Sequence, residues 1–240
     1  MRLNLFLTLL DYKRVPTYLN SLFFAYKEGI LGLRKEIFGM ITIPECVVLY
    51  KFAKSLPNKS KVVEIGSYGG LSSAYIIYGL RKKSSFLYSI DPFGKEIDVQ
   101  KKIVSRYHNS DYRKAEFASI NNKPTKSQVE RKLHKLNLTG FKLIEGYSFE
   151  VVKKWKKRID MLFIDGNHEY PAVLNDFNKW KKYLKKGGLI LFHDANNIDY
   201  KSQWDWGLEG PTKVVSKYIF PPKWIKIGRV DSMVYAVKNY

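Results

Sequence analysis

Two hydrophobic rhythms alternate along this chain. Short apolar runs recur at 61–65, 85–91, 141–145, 159–164 and 187–192. In the first run Val62, Val63 and Ile65 are apolar and β-branched, as a strand inside a parallel sheet requires. Between the runs, apolar residues return at helical spacing. Val173, Phe177, Trp180 and Leu184 mark the buried face of a helix predicted over 171–186, with Pro171 at its first position and Gly187 just past its end. Val129, Leu133 and Leu136 mark a second, for which Ser127 and Glu130 offer a capping box. A third runs from Thr42 to about Leu56, with Thr42 and Glu45 as capping box, Pro44 at N1 and Pro57 as its stop. Strands that alternate with helices predict one large α/β domain. Residues 224–237 alternate apolar and polar about a turn and read as a hairpin, preceded by a short helix from about Lys213.

Two regions depart from this rhythm. Residues 1–41 form an N-terminal helical extension rich in Leu, Phe, Tyr and Lys. One or two amphipathic helices there would cover the sheet, form a homodimer face or lie on a membrane. Residues 94–140 are long for a crossover and read as an insert holding one or two helices, in which His108 and His134 are surface or packing groups.

Composition narrows the picture. The 240 residues are 45% hydrophobic, ordinary for a globular protein. Cys46 is the only cysteine, which excludes a disulfide framework and a cysteine metal site. Cys46 lies on a predicted helix beside Val47, Val48 and Leu49 and reads as core. No cleavable signal and no spanning segment is evident, so the expected compartment is the cytoplasm, with peripheral membrane contact the alternative. The net charge is +20, from 33 lysines and 9 arginines. Sequence-specific nucleic-acid readers lean on arginine forks, so this excess argues against nucleic acid. It reads first as solvated helix faces and second as a surface suited to anionic lipid or glycan.

Candidate chemistry sits where the apolar runs end. The first ends in Glu64-Ile-Gly66-Ser67-Tyr68-Gly69-Gly70 and passes into a helix at Leu71, Ser72 and Ser73. Glycines there let backbone approach a ligand, and the helix start presents free N–H groups. A dinucleotide fingerprint would read G-x-G-x-x-G. Here the order is acidic-x-Gly-x-x-x-Gly, which resembles motif I of the class I S-adenosyl-L-methionine (AdoMet) methyltransferases. A carboxylate at Glu64 suits a cationic amino-acid ligand and would repel a pyrophosphate. The second run ends in Asp91-Pro92, 25 positions after Gly66, near the spacing at which a carboxylate meets ribose hydroxyls.

Two further endings complete the pattern. One is Ile164-Asp165-Gly166-Asn167-His168-Glu169-Tyr170, and the other is Phe192-His193-Asp194-Ala195 after Gly187-Gly188. The order strand, DGNHEY, helix, KKGG, strand, HDA resembles the bacterial macrocin O-methyltransferase and cephalosporin hydroxylase-like group of class I methyltransferases. The turn Gly146-Tyr147-Ser148 matches the same group. This resemblance covers about residues 42–238. It implies a Rossmann-like doubly wound seven-stranded sheet, mostly parallel with a C-terminal antiparallel hairpin. The implied domains are a helical extension over 1–41 and an AdoMet-binding domain over 42–240. Implied cofactor contacts are Glu64, Gly66, Ser67, Tyr68, Gly70, Ser72, Asp91, Pro92, Ser148 and Asp165.

The implied reaction is methyl transfer to a hydroxyl of a small molecule or glycan. A protonated hydroxyl is a weak nucleophile and needs a general base or a metal ion. Asp165, His168 and His193 are the catalytic candidates, with His168 the first choice of base because its ordinary pKa is about 6.5. In metal-dependent relatives the ligands come from these strand ends, and Asp165 and Asp194 match. Ala195 stands where a third ligand is expected, so His168, His193 or Asn196 would substitute. Oxygen ligands favour Mg²⁺, and a histidine shifts the preference toward a transition metal. Two other classes remain: an iron-dependent hydroxylase with Asp165, His168 and His193 as facial triad, and a non-catalytic basic module for nucleic acid or membrane. The loop containing Trp204 and Trp206 reads as a lid or pocket wall.

Overall fold

The computed structural model describes residues 15–93, 124–196 and 207–240. Its strands are β1 (Lys61–Ile65), β2 (Phe86–Asp91), β3 (Phe141–Glu145), β4 (Ile159–Ile164), β5 (Leu184–Phe192), β6 (Trp224–Val230) and β7 (Met233–Lys238). They form one sheet in the order β3-β2-β1-β4-β5-β7-β6. The first five strands pair in parallel, and β7 runs antiparallel to both β5 and β6. This is the Rossmann-like doubly wound seven-stranded sheet with a terminal hairpin that the sequence resemblance implies.

Helices cover both faces. They are α1 (Val15–Lys27), α2 (Leu33–Glu36), α3 (Ile43–Ser55), α4 (Leu71–Leu80), α5 (Lys126–Lys135), α6 (Ser148–Val151), α7 (Tyr170–Trp180) and α8 (Glu209–Tyr218). Successive strand residues point to opposite faces. Val62, Leu87, Met161 and Phe163 therefore join α1, α3, α4 and α5 in one core. Val63, Ile90, Leu162 and Phe192 join α7 and α8 in the other. Burying each such side chain contributes roughly 1.5–3 kcal/mol. Cys46 lies in the first core, wholly buried, and burial pushes its thiol up to about 12.

Local chemistry explains the helix starts. Thr42 Oγ1 accepts from the Glu45 amide and the Glu45 carboxylate accepts from the Thr42 amide, which is the expected capping box. Ile43, not Pro44, is the first residue of α3. The cap of α5 is Thr125 with Gln128, two residues ahead of the expected Ser127 and Glu130. Val129 and Leu133 still face the core.

One expected element is wrong in extent. The helix predicted over 171–186 ends at Trp180, and Leu184 opens β5. The backbone of Tyr183 accepts from Ile159, and Leu184 pairs with Ile159, so β4 captures the chain before a further turn forms. Leu184 kept the helical spacing because it packs in the same core as Trp180. Glycines 187 and 188 then lie in an irregular stretch of β5 rather than past a helix. The tryptophans Trp204 and Trp206, His108 and most of the predicted insert lie outside the described residues. His134 is exposed, its ring 5.1 Å from Phe141. Among the described residues, no helix is long and apolar enough to cross a membrane.

Candidate active site

Sheet register builds the site. Beyond the formal strand ends the backbone ladder continues. Gly146 N–H donates to Asp91 (3.1 Å), Gly66 to Ile90 (2.8 Å), Asp165 to Ile65 (2.8 Å) and His193 to Ile164 (3.0 Å). Asp91, Gly66, Asp165 and His193 thus succeed one another along the carboxyl edge. The order of strands reverses between β1 and β4, where ligands bind in such sheets. Gly66 (φ +90°) sits at that point. A Cβ there would lie 2.0 Å from the Asp165 carbonyl oxygen, so only glycine lets the two strand ends close.

The turn after β1 is fastened by one carboxylate. Asp91 Oδ2 accepts from the amides of Ser67 and Tyr68, each at 2.9 Å, and Oδ1 accepts from Phe93 at 2.7 Å. Asp91 therefore faces the glycine-rich turn and shapes it through these backbone amides. Tyr68 holds a left-handed φ of +46°, strain of the sort that collects at ligand sites. Ser67 and Ser72 are buried, while Tyr68 and Pro92 stay partly exposed. The Phe38 ring stands 5.8 Å from that of Tyr68, so the N-terminal extension reaches this turn. Beneath it, Glu64 is wholly buried and accepts from the Ser73 and Ser89 hydroxyls through Oε2, while Oε1 lacks a partner. Burial pushes its carboxyl up to about 7 against the hydroxyls of Ser72, Ser73 and Ser89. Ser148 is turned elsewhere, donating to Asp176 of α7.

The polar cluster lies at the ends of β4 and β5. His168 Nε2 is 3.6 Å from Asp165 Oδ1 and 3.3 Å from Asp194 Oδ2. That nitrogen is buried yet makes no well-formed hydrogen bond; it points into the gap between two carboxylates. His193 lies behind them, 5% exposed. Its Nδ1 is 3.0 Å from Asp165 and 3.4 Å from Asp194, and its Nε2 is 3.3 Å from Glu45. Burial works against charge on His193, but Asp165, Asp194 and Glu45 outweigh it and hold its pKa well above the usual value. Burial likewise opposes charge on His168, and the same two aspartates raise it. Burial also opposes charge on Asp194, which His193 and His168 nevertheless hold at about 2. Three carboxylates facing two imidazoles leave the cluster anionic.

Asp165, His168 and Asp194 each offer a ligand atom, all within 4.8 Å of one another. Of the three substitutes weighed for the place of Ala195, His168 is the one positioned. Asn196 is held by Arg229 through its side-chain oxygen, and its amide donates to Thr212. Both nitrogens of His193 face carboxylates, so the facial triad of Asp165, His168 and His193 is not the one assembled.

Glu45 is the residue that sequence reasoning missed as part of the site. It was legible only as a cap. Its Oε1 accepts from the Ser232 amide (3.0 Å) and hydroxyl (2.8 Å), while Oε2 meets His193. Ser232 had no sequence signal. Gly210 was also missed: a Cβ there would lie 2.0 Å from the His168 carbonyl, so α8 starts directly against the DGNHEY turn.

Comparisons with known proteins agree with this fold. A family model described as a methyltransferase domain matches residues 63–195. Uncharacterized protein R132 of Acanthamoeba polyphaga mimivirus is 30% identical over 151 residues, 59% of this chain and 54% of that protein. The chain thus spans about half the length of this curated relative. The O-methyltransferase NovP superposes with a TM-score of 0.57 at 15% identity, covering 84% of this chain and 82% of its own. TomG, an O-methyltransferase from Streptomyces achromogenes involved in tomaymycin synthesis and solved with SAM, gives 0.56 at 14% identity, over 93% and 90%. SAH-bound PaMTH1 from Podospora anserina gives 0.55 at 15% identity, over 84% and 80%. At such identities these structures share the fold.

Proposed function

The chain belongs to a family of methyltransferase domains, and from that premise we propose that it uses AdoMet to methylate a hydroxyl of a sugar or other small molecule with help from a divalent cation. The observation that carries this reading is the row of Asp91, Gly66, Asp165 and His193 on adjacent strand ends. The D-G-x-H-x-Y and H-D endings favour the macrocin-type sugar O-methyltransferases within the family. The glycine-rich turn and Asp91 would hold the methyl donor, and the β4 and β5 ends would receive the acceptor.

Methyl transfer forms an oxygen–carbon bond while the carbon–sulfur bond breaks, its electron pair going to sulfur. The sulfonium is already a good leaving group, so the protein chiefly aligns the acceptor oxygen, which can contribute about 7–11 kcal/mol. The acceptor proton must also leave, passing to an ionised carboxylate of the cluster, Asp165 or Asp194, and on to water. Asp165, His168 and Asp194 fit a cation, because their ligand atoms lie within 4.8 Å of one another and the buried His168 nitrogen makes no well-formed hydrogen bond. When bound, such a cation lowers the pKa of a hydroxyl. An imidazole in the donor set favours a transition metal over Mg²⁺. His193, whose charge Glu45 supports from behind, keeps both carboxylates ionised.

Calorimetric titration with AdoMet and paramagnetic resonance with Mn²⁺ test this reading. Micromolar AdoMet binding is expected, and His168→Ala should weaken Mn²⁺ binding about tenfold with little change in AdoMet affinity. No AdoMet binding would refute the methyltransferase reading. Unchanged Mn²⁺ binding in His168→Ala would refute the metal site alone.

A further inference from the structure

The outer surface of the N-terminal layer carries chemistry that methyl transfer does not use. Helix α1 packs on α3 through Tyr18, Leu22 and Ala25. Its opposite side presents Leu19, Phe23 and Tyr26, neighbours on one helical stripe, exposed by 50%, 59% and 74%. A surface helix normally turns polar residues outward. Here three large apolar or aromatic side chains face water instead, and α1 contains no acidic residue.

The same helical layer carries exposed cations. Lys27 lies 4.6 Å from the Phe23 ring and Lys51 lies 4.2 Å from the Phe24 ring. Lys54 stands 5.2 Å from Tyr50, and Arg81 stands 3.5 Å from Tyr78. Beneath these cations the rings of Phe24, buried Tyr50 and Tyr78 follow one another at 6.1 Å intervals. Glu28 is the carboxylate among them, paired with Lys54 at 2.8 Å. Lys27 therefore lies on the apolar stripe itself, and Lys51, Lys54 and Arg81 add exposed cations on the neighbouring helices of the same layer.

We propose that this face docks peripherally on an anionic lipid surface. Leu19, Phe23 and Tyr26 enter the boundary between headgroups and acyl chains, and the neighbouring cations meet lipid phosphates. Charge selects this occupant. A second copy of the chain would bring two such cationic faces together in a protein of net charge +20. A nucleic acid would satisfy the cations and leave the apolar stripe against water. A bilayer surface satisfies both features. The inference is independent of the methyltransferase reading, since neither AdoMet nor an acceptor enters it.

The test is co-sedimentation of the full chain with vesicles of phosphatidylcholine, with and without about one third phosphatidylglycerol. Preference for the anionic vesicles of at least about tenfold is expected, falling as salt is raised. The triple substitution Leu19→Ser, Phe23→Ser, Tyr26→Ser should reduce partitioning about tenfold with an unchanged thermal midpoint, because all three side chains are exposed. Should that variant fold poorly, Tyr26→Ser alone must still lower partitioning. Equal binding to neutral and anionic vesicles overturns the proposal, as does unaltered binding of the substituted chain. A dimer in sedimentation velocity that the triple variant abolishes, or preference for an RNA homopolymer over vesicles, also overturns it.

Discussion

Glutamine in place of Glu64 probes the electrostatics beneath the glycine-rich turn. Burial pushes this carboxyl from an ordinary 4.5 up to about 7, despite the surrounding serine hydroxyls. A shift of that size corresponds to about 3 kcal/mol between the protonated and ionised forms. The pKa is raised in the folded state, so the folded protein binds the proton more tightly than the unfolded chain. The stabilisation is fully present below about pH 4.5 and drains away as the pH climbs through 7. Glutamine keeps the shape, stays neutral and retains an oxygen for the Ser73 and Ser89 hydroxyls. Urea unfolding of both proteins without cofactor is the assay. Near pH 4.5 the two should differ little, whereas at pH 8 Glu64→Gln should be the more stable by up to about 3 kcal/mol. Other buried groups titrate in both proteins, so the difference isolates Glu64. A gap that stays constant across this range would refute the reasoning.

Two further substitutions probe the frame of the site. Asp91→Ala leaves the amides of Ser67, Tyr68 and Phe93 without their acceptor, at about 1–3 kcal/mol for each buried group left unpaired. It should lower the thermal midpoint and weaken AdoMet binding at least about tenfold in calorimetry. Glu45→Ala removes the partner of His193, Ser232 and Thr42 together and should destabilise the fold by about 3–5 kcal/mol in urea. Glu45→Gln keeps the capping geometry and should recover a substantial part of that loss.

The strand-end residues were legible because each apolar run stops at its polar cluster. Sheet register then had only to bring Asp91, Gly66, Asp165 and His193 into line. What sequence left unread is long-range. Leu184 continues a helical spacing and yet belongs to β5, because pairing with Ile159 claims it. Ser148 sits in the expected turn, but its hydroxyl goes to Asp176 on α7. Glu45 satisfies a local capping rule so fully that nothing in its neighbourhood hints at His193, 148 positions away. A short motif reports what adjacent residues do for one another. It carries no information on which distant side chain completes a buried pair.

The carboxylate of Glu45 is answered by Ser232, which lies 187 positions later. During synthesis the first of these groups leaves the ribosome long before the second exists. Until the terminal hairpin arrives, Glu45 must stay hydrated, and the backing of His193 stays unfinished. A nascent chain that already displays every recognisable motif up to Asp194 would therefore still lack an organised reaction centre. Competence should appear abruptly, once the β6–β7 hairpin that carries Ser232 has been translated.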